Sequence, residues 1–313
     1  MEARPGSAAT ENRAGPFHAL TARKRHRTHA RMIGVFDSGL GGLTVLRALV
    51  ARFPELPFIY LGDRANVPYG NRSSTEVIDL TRRGVEALFS SGCRLVLLGC
   101  NTATAVAARH LQQVWLPASP WRGHNVLGIV APTVEAATQT PWAVSSPQYP
   151  QKYNTDLIAM CGTTRTITSG VYPEEIRKRC PKVTVVQQIC ARLAGAIEEE
   201  APEAELDRLV GEAITGMLAQ TGGTPPHRAI LGCTHFPLVE HLFRRHLPPF
   251  ARILSQPHVV ADSFEDYLAR HAHYVEGSSG GSLRLLTTGE PEETSARAHV
   301  FWPEVAAFER TVT

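Results

Sequence analysis

The chain has 313 residues, of which 43% are hydrophobic and 19% are charged, so it can bury a substantial core and is not compositionally disordered. Its net charge of +3 originates in residues 1–31, where seven Arg and Lys side chains outnumber two Glu, so residues 32–313 carry −2. The basic character therefore belongs to a tail, and we predict no nucleic-acid partner. No apolar stretch reaches the roughly 18 residues of a membrane span, so we predict no membrane partner either.

Residues 1–31 contain the basic run Arg23-Lys24-Arg25-His26-Arg27 and lack the apolar core of a signal peptide. We interpret them as a disordered N-terminal extension. A transit peptide is an alternative, although the two Glu residues and a weak amphipathic pattern argue against it. A translation start at Met32 is another alternative, since strand-like sequence begins there.

From Met32 onward, short apolar runs alternate with helical patterns, which predicts an α/β fold with parallel sheets. The runs are continuous rather than alternating, as expected for strands covered on both faces. The predicted strands are 32–36, 57–61, 94–99, 126–130, 156–161, 182–187, 228–232, 251–254 and 283–287. A capping box at Ser73–Glu76 predicts a helix that ends near Phe89, and Glu203 to Leu218 has helical amphipathic spacing. Residues 139–153 contain three prolines and are predicted to form an exposed loop or lid.

Two predicted strands end in matching segments, Leu97-Leu98-Gly99-Cys100-Asn101-Thr102 and Ile230-Leu231-Gly232-Cys233-Thr234-His235. Ligands bind at the carboxyl ends of the strands in α/β sheets, so both thiols are candidates for one site. A helix start after each cysteine would favour a thiolate, and His235 could relay the proton of Cys233. Matched acid/base groups on opposite faces of one carbon are what a racemase needs. The other four cysteines lack this context, and with no export signal we predict reduced thiols in a cytoplasmic protein.

Three further loops follow predicted strands. Asp37-Ser38-Gly39-Leu40-Gly41-Gly42 is suited to holding a small carboxylate by its amides and the Ser38 hydroxyl, or is a turn that needs small residues. A turn at Pro68-Tyr69-Gly70-Asn71 presents Tyr69 and backbone amides. The hydroxyl-rich segment Gly162 to Tyr172 can hold a carboxylate or be a capped helix start. No Cys/His spacing typical of zinc occurs, so we predict no metal.

These motifs, in this order, resemble the glutamate racemase family, the cofactor-independent enzymes that supply D-glutamate for peptidoglycan. The similarity extends from Met32 to about Thr288 and rests on Asp-Ser-Gly-x-Gly-Gly, Gly-Asp with Pro-Tyr-Gly, Cys-Asn-Thr-Ala, the threonine-rich segment and Gly-Cys-Thr-His-Phe-Pro. The resemblance implies two similar parallel-sheet α/β domains in a pseudo-two-fold relation around a buried site. It implies no cofactor and a homodimer. We divide the chain into the extension 1–31, a first domain of 32–131 plus 256–313 and a second domain of 132–255.

The resemblance also implies residue roles. Four residues would be catalytic: Cys100 and Cys233 as the acid/base pair, assisted by Asp37 and His235. Glutamate would be bound by Ser38, Tyr69, Gly70, Asn101, Thr102, Thr164 and Thr234. The segment Cys190-Ala191-Arg192-Leu193 departs from the Cys-Pro that is common in the family, so whether Glu198 orients His235 stays open. An aspartate racemase, an inactive binding protein with this fold and a one-cysteine decarboxylase relative are the alternatives.

Overall fold

The computed structural model describes residues 31–144, 146–278 and 280–313. Apart from Arg31, the predicted N-terminal extension lies outside the described residues. Within those ranges no helix is both long and apolar enough to cross a bilayer.

Strands and helices alternate along most of the chain. The strands are β1 (Met32–Asp37), β2 (Phe58–Gly62), β3 (Cys93–Leu98), β4 (Asn125–Gly128), β5 (Leu157–Gly162), β6 (Thr184–Ile189), β7 (Arg228–Gly232), β8 (Arg252–Leu254), β9 (Leu283–Thr287) and β10 (Glu309–Arg310). The α-helices are α1 (Leu43–Arg52), α2 (Ser74–Ser90), α3 (Asn101–His110), α4 (Leu116–Ala118), α5 (Val130–Thr138), α6 (Thr164–Thr168), α7 (Val171–Arg179), α8 (Leu193–Glu198), α9 (Glu203–Gln220), α10 (Glu240–His246), α11 (Gln256–Arg270) and α12 (Pro291–Ala298).

The strands form two parallel sheets with a shared arrangement. The first sheet has the order β10-β9-β2-β1-β3-β4 and the second has the order β6-β5-β7-β8. The order β2-β1-β3-β4 in the first sheet is repeated as β6-β5-β7-β8 in the second. Cys100 follows β3 and Cys233 follows β7, so the two thiols occupy equivalent positions in the two halves. The predicted α/β fold with two parallel sheets is confirmed.

Both faces of each sheet are covered by apolar side chains, which explains the continuous apolar runs. In β1, Ile33 and Val35 pack into one core and Phe36 packs into another on the opposite face. Sheet two is enclosed in the same way, with Ala159 in one core and Met160 in the other. Two-sided burial therefore fixes the positions at which the loops at the carboxyl ends of the strands begin.

Local sequence signals account for the elements near the site. The capping box of α2 is present, with the Ser73 hydroxyl accepting from the Glu76 amide and the Glu76 carboxylate accepting from the Ser73 amide. All nine predicted strands occur, with ends that differ by at most two residues from the prediction. The two-residue strand β10, which pairs with β9 at the sheet edge, was not predicted.

Residues 139–153 form a loop whose described part lies against α5 and α7. The Trp142 amide donates to the Glu135 carboxylate at 2.6 Å, and the Arg179 guanidinium lies 3.9 Å from the centre of the Trp142 ring. These contacts attach the start of the loop to helices α5 and α7. We therefore interpret it as an anchored surface loop rather than a lid.

The strands of the first sheet lie within residues 32–128 and 283–310, and those of the second within 157–254. This distribution agrees with the two predicted domains. The domain boundaries themselves stay a prediction.

Candidate active site

The Cys100 thiol lies directly at the start of α3. Its sulfur accepts a hydrogen bond from the Ala103 amide at 3.4 Å, as an N-cap side chain does, and it lies 3.3 Å from the Ser38 hydroxyl oxygen. Only 6% of Cys100 is exposed. Burial raises the pKa of this thiol to about 12, the Asp37 charge acts in the same direction, and the Ala103 amide and Ser38 oppose them. The amide at the helix start does lower the pKa of Cys100, as predicted, but desolvation outweighs it.

The Cys233 thiol has different surroundings. No α-helix begins directly after it; a 3₁₀ turn at Phe236–Val239 follows instead, with Pro237 in its first turn. The predicted matching helix start is therefore wrong. The sulfur of Cys233 instead lies 3.6 Å from Nδ1 of His235, and the residue is 6% exposed. The Cys233 sulfur thus has an imidazole as its neighbour, whereas the Cys100 sulfur has a helix amide and a hydroxyl.

His235 is held on its other side by Glu198. Its Nε2 atom lies 2.7 Å from Oε1 of Glu198, and the second oxygen of that carboxylate accepts from the Arg64 guanidinium at 2.8 Å. Burial alone would lower the pKa of His235, but the neighbouring Cys233 sulfur and the Glu198 carboxylate raise it to about 10. Although burial works against ionisation, hydrogen bonds from His235 and Arg64 bring the pKa of Glu198 down to about 2. Glu198 therefore does contact and orient His235, which answers the question left open by the departure at Ala191.

Asp37 lies at the end of β1, close enough to Cys100 and His235 for their charges to interact. Its carboxylate accepts from the Gly39 amide at 2.7 Å and only 1% of the residue is exposed. Burial raises its pKa from 3.8 to about 6, and the charge on His235 and the amides of Gly39 and Gly42 limit the rise. Asp37 is thus poised to change its protonation state in a near-neutral pH range.

The glycines after Asp37 allow side chains to approach closely. A Cβ atom on Gly41 would overlap the Thr234 hydroxyl and the His235 imidazole, and one on Gly42 would lie 2.7 Å from Cβ of Asp37. Side chains of Asp37, Thr234 and His235 therefore fill the space next to this loop. Because the Gly39 amide is already bonded to Asp37, that amide is not free to hold a carboxylate ligand as we expected.

Hydroxyl groups from both halves meet beside Cys100. The Thr102 hydroxyl lies 3.1 Å from those of Thr163 and Thr166, which are 3.0 Å from each other. Thr163 caps α6, whose first residue is Thr164, so the capped-helix interpretation of this segment is correct. The predicted turn at Gly70 lies against the same group, since a Cβ atom there would be 3.3 Å from Cβ of Thr163.

Two other predicted binding residues use their side chains for internal contacts. The Tyr69 hydroxyl donates to the Asp63 carboxylate at 2.6 Å, which leaves its backbone for a ligand. The Asn101 amide is paired with the Gln256 amide at 2.5 and 3.0 Å, and its oxygen also accepts from the Tyr172 hydroxyl at 2.7 Å.

Two cavities, of about 510 and 1040 Å³, lie along α3, α5 and α11, and their linings include no predicted site residue. A large concave cavity is the default candidate for a binding site. Here the chemistry favours the enclosed thiols instead, because they bring together acid/base groups with perturbed pKa values. Among the described residues, no group of three His, Cys, Asp or Glu side chains is arranged to hold a metal ion.

No family model matches the chain. The glutamate racemase of Phenylobacterium zucineum is 45% identical over 281 residues, covering 88% of this chain and 99% of the relative. That of Paracoccus denitrificans is 42% identical over 277 residues, covering 88% of this chain and 98% of the relative. The chain belongs to the glutamate racemase family.

Solved structures of glutamate racemases share the fold. A glutamate racemase isoform from Bacillus anthracis superimposes with a TM-score of 0.75 at 26% identity, covering 90% of this chain and 97% of that one. The Thermus thermophilus enzyme, solved with β-chloro-D-alanine, gives a TM-score of 0.71 at 27% identity, with 90% and 97% covered. The predicted resemblance is confirmed by these relatives.

Sequence reasoning missed several residues of this glutamate racemase site. Arg64 and Gln256 belong to none of the motifs that the sequence analysis used. Only their contacts with residues distant in the sequence place them at the candidate site. Thr163 and Thr166 lie in the segment that the sequence singled out, but the prediction chose Thr164. Asp63 was noted in the sequence as the Asp of the Gly-Asp motif, without a role; in the structure it accepts from Tyr69 and from Thr288.

Proposed function

We propose that this chain interconverts L- and D-glutamate by a two-thiol acid/base mechanism that uses no cofactor. Its membership of the glutamate racemase family supports the reaction and the substrate. The observation that carries the mechanism is the placement of Cys100 and Cys233 at equivalent strand ends of two sheets with the same strand order. The thiols then lie on opposite sides of one substrate carbon.

In the proposed reaction one cysteine removes the α-proton as a thiolate and the other delivers a proton from its thiol to the opposite face. The surroundings of the two thiols differ. Burial raises the pKa of Cys100 to about 12, whereas Cys233 lies 3.6 Å from Nδ1 of His235, whose pKa is raised to about 10. For the reverse reaction the two cysteines exchange roles, and Asp37 and His235 support the exchange because both titrate next to them.

Glutamate binding is proposed at the loops that surround the thiols. The candidates are Ser38, the backbone of Tyr69 and Gly70, Asn101, Thr102, Thr164 and Thr234. The Thr102 hydroxyl contacts the hydroxyls of Thr163 and Thr166, so we add these two residues to the candidates. Hydroxyls and amides from both halves can hold the two carboxylates of glutamate at a fixed separation.

The decisive experiment incubates the purified protein with L- or D-glutamate and follows both enantiomers by chiral chromatography. We expect racemisation without added cofactor, unchanged after dialysis against a chelator, and deuterium on the α-carbon of the product in D₂O. L-aspartate serves as the comparison substrate. Activity that is lost on chelation and restored by zinc would refute the mechanism, and an absence of turnover would favour a binding protein.

We also propose that the enzyme is a cytoplasmic homodimer that supplies D-glutamate for peptidoglycan. The support is family resemblance. Light scattering on the purified protein tests the dimer, and growth of a D-glutamate auxotroph that expresses the chain tests the supply role.

A further inference from the structure

The contact between Arg64 and Glu198 joins the two halves of the molecule at the site. Arg64 follows β2 of the first sheet, whereas Glu198 ends α8 and His235 follows β7 of the second sheet. Glu198 and His235 therefore come from the same half, and Arg64 reaches them from the other. The side chains of Arg64 and Glu198 are only 11% and 19% exposed, so this is not a solvated surface pair.

The two oxygens of the Glu198 carboxylate contact different partners. Oε2 accepts from Arg64 at 2.8 Å and Oε1 lies 2.7 Å from His235 Nε2. With one oxygen fixed by a guanidinium, the carboxylate cannot rotate freely away from the imidazole. The pair lies over the loop after Asp37, since a Cβ atom on Gly39 would be 3.6 Å from Oε1 of Glu198.

We propose that Arg64 is a positioning residue, which fixes Glu198 from the opposite half of the molecule and thereby orients His235 toward the Cys233 sulfur. This inference rests on the proposed racemase function for its catalytic consequence. Arg64 does not touch the reacting atoms. It acts through Glu198, and it can do so only when the two halves are together.

Several charged or titratable groups face the His235–Glu198 pair, and the test must separate their effects from that of Arg64. They are Cys233 beside His235, Asp37 at the end of β1, Tyr60 in β2 and Arg64 itself. Removing the positive charge of Arg64 would by electrostatics alone make His235 easier to protonate. Releasing Glu198 from its fixed orientation would make His235 harder to protonate, because the hydrogen bond that stabilises the imidazolium is weakened. The two explanations predict opposite shifts.

The first measurement is an NMR titration of His235 in the full chain, with the signal assigned from a His235→Asn variant. In Arg64→Met we expect the His235 pKa to fall relative to the unaltered chain. Arg64→Lys keeps a donor for Glu198 and should recover part of the shift. An unchanged or raised His235 pKa in Arg64→Met overturns the proposal. This titration does not depend on turnover, so it tests the role of Arg64 even if the racemase assignment fails.

The second measurement is glutamate racemisation by the same variants. Arg64→Met should lower kcat by about tenfold to a hundredfold, as expected for a misplaced acid/base group, with KM changed by less than about twofold. Its basic pH limit should move to lower pH, in line with the titration. The matched control is Arg297→Met, which removes an exposed arginine whose Glu293 partner is 3.2 Å away, and it should leave kcat unchanged.

A double variant tests whether Arg64 acts through Glu198. If it does, Arg64→Met combined with Glu198→Gln should be no slower than Glu198→Gln alone. Additive losses would show that Arg64 acts by another route and would overturn the proposal.

Discussion

The Ser38 hydroxyl oxygen lies 3.3 Å from the Cys100 sulfur, whereas the Cys233 sulfur faces an imidazole nitrogen of His235 at 3.6 Å. The two halves share a strand order and place their thiols alike, but they surround them with different chemistry. Burial and the charge of Asp37 favour a protonated sulfur at Cys100, although Ser38 and the Ala103 amide oppose them. The neighbour of Cys233 is instead a histidine whose pKa is raised to about 10. The two thiols therefore have different partners before any substrate binds.

Replacement of either thiol should abolish racemisation. Cys100→Ser and Cys233→Ser each remove one of two bases, and a serine hydroxyl is too weakly acidic to replace a thiol. Each variant should still exchange the α-proton of one enantiomer only, because one face keeps its base. Chiral analysis and deuterium incorporation in D₂O measure the two outcomes.

The control for the thiol variants is Cys180→Ala, which alters a buried cysteine away from the site. It should retain the full rate apart from any loss of stability. Racemisation near the normal rate by either serine variant would contradict the two-base assignment.

Asp37→Asn should stabilise the fold and slow the reaction. Burial raises the pKa of Asp37 from 3.8 to about 6, so the folded protein holds this proton more tightly than the unfolded chain does. The contribution of Asp37 to stability is therefore highest below pH 4 and is lost as the pH rises through 6. At pH 7 the variant should gain up to about 3 kcal/mol in the free energy of unfolding, since one pKa unit corresponds to about 1.4 kcal/mol. Urea unfolding at pH 4 and pH 7 checks the difference, and equal gains at both values would contradict it.

Glutamate should be strongly preferred over aspartate. The threonine hydroxyls and loop amides are fixed to both halves, so a side chain shorter by one methylene cannot bring its carboxylate to the same donors. A methylene alone discriminates by about 10–200-fold, and unpaired buried donors increase the ratio. We expect a kcat/KM ratio above about 100. A ratio near one, or in favour of aspartate, would indicate an aspartate racemase.

A chain that begins at Met32 should keep its fold and activity. Residues 1–31 are basic and poor in apolar pattern, a composition that predicts little contribution to stability. Within the described residues, the Arg31 guanidinium donates to the His273 carbonyl. The Arg31 carbonyl accepts from the Ser278 hydroxyl at 2.7 Å. A chain starting at Arg31 should therefore be slightly more stable than one starting at Met32, by about 1 kcal/mol at most. Thermal unfolding and the racemase assay compare the two, and an inactive Met32 chain would mean that the extension is structural.

Local patterns were sufficient to predict most of the fold. Strands covered on both faces leave continuous apolar runs, so even the short β8 was found, whereas β10 is an exposed edge of two residues with no such signal. The helix after Cys233 was predicted from Pro237, but the chain forms a 3₁₀ turn there. Short helical turns of different types share the same sequence preferences.

The candidate site residues that lie in sequence motifs were predicted, and those that only long-range contacts bring to the site were not. Cys100 and Cys233 stand in repeated segments, and the structure surrounds both with titratable groups. The pairing of Asn101 with Gln256 joins positions 155 residues apart, and neither residue type signals it. The raised pKa of Cys100 likewise depends on how completely the folded halves exclude water, which no local pattern reports.

Hydrogen bonds between the two halves also close off the site. The Thr44 hydroxyl donates to the Thr234 carbonyl at 3.0 Å and Tyr172 donates to Asn101, so these hydrogen bonds enclose two thiols that are each 6% exposed. If the two thiols form the acid/base pair, we expect glutamate to reach them only after these hydrogen bonds open. Opening would then limit kcat even if proton transfer were faster. Its signature is a turnover rate that falls as solvent viscosity rises.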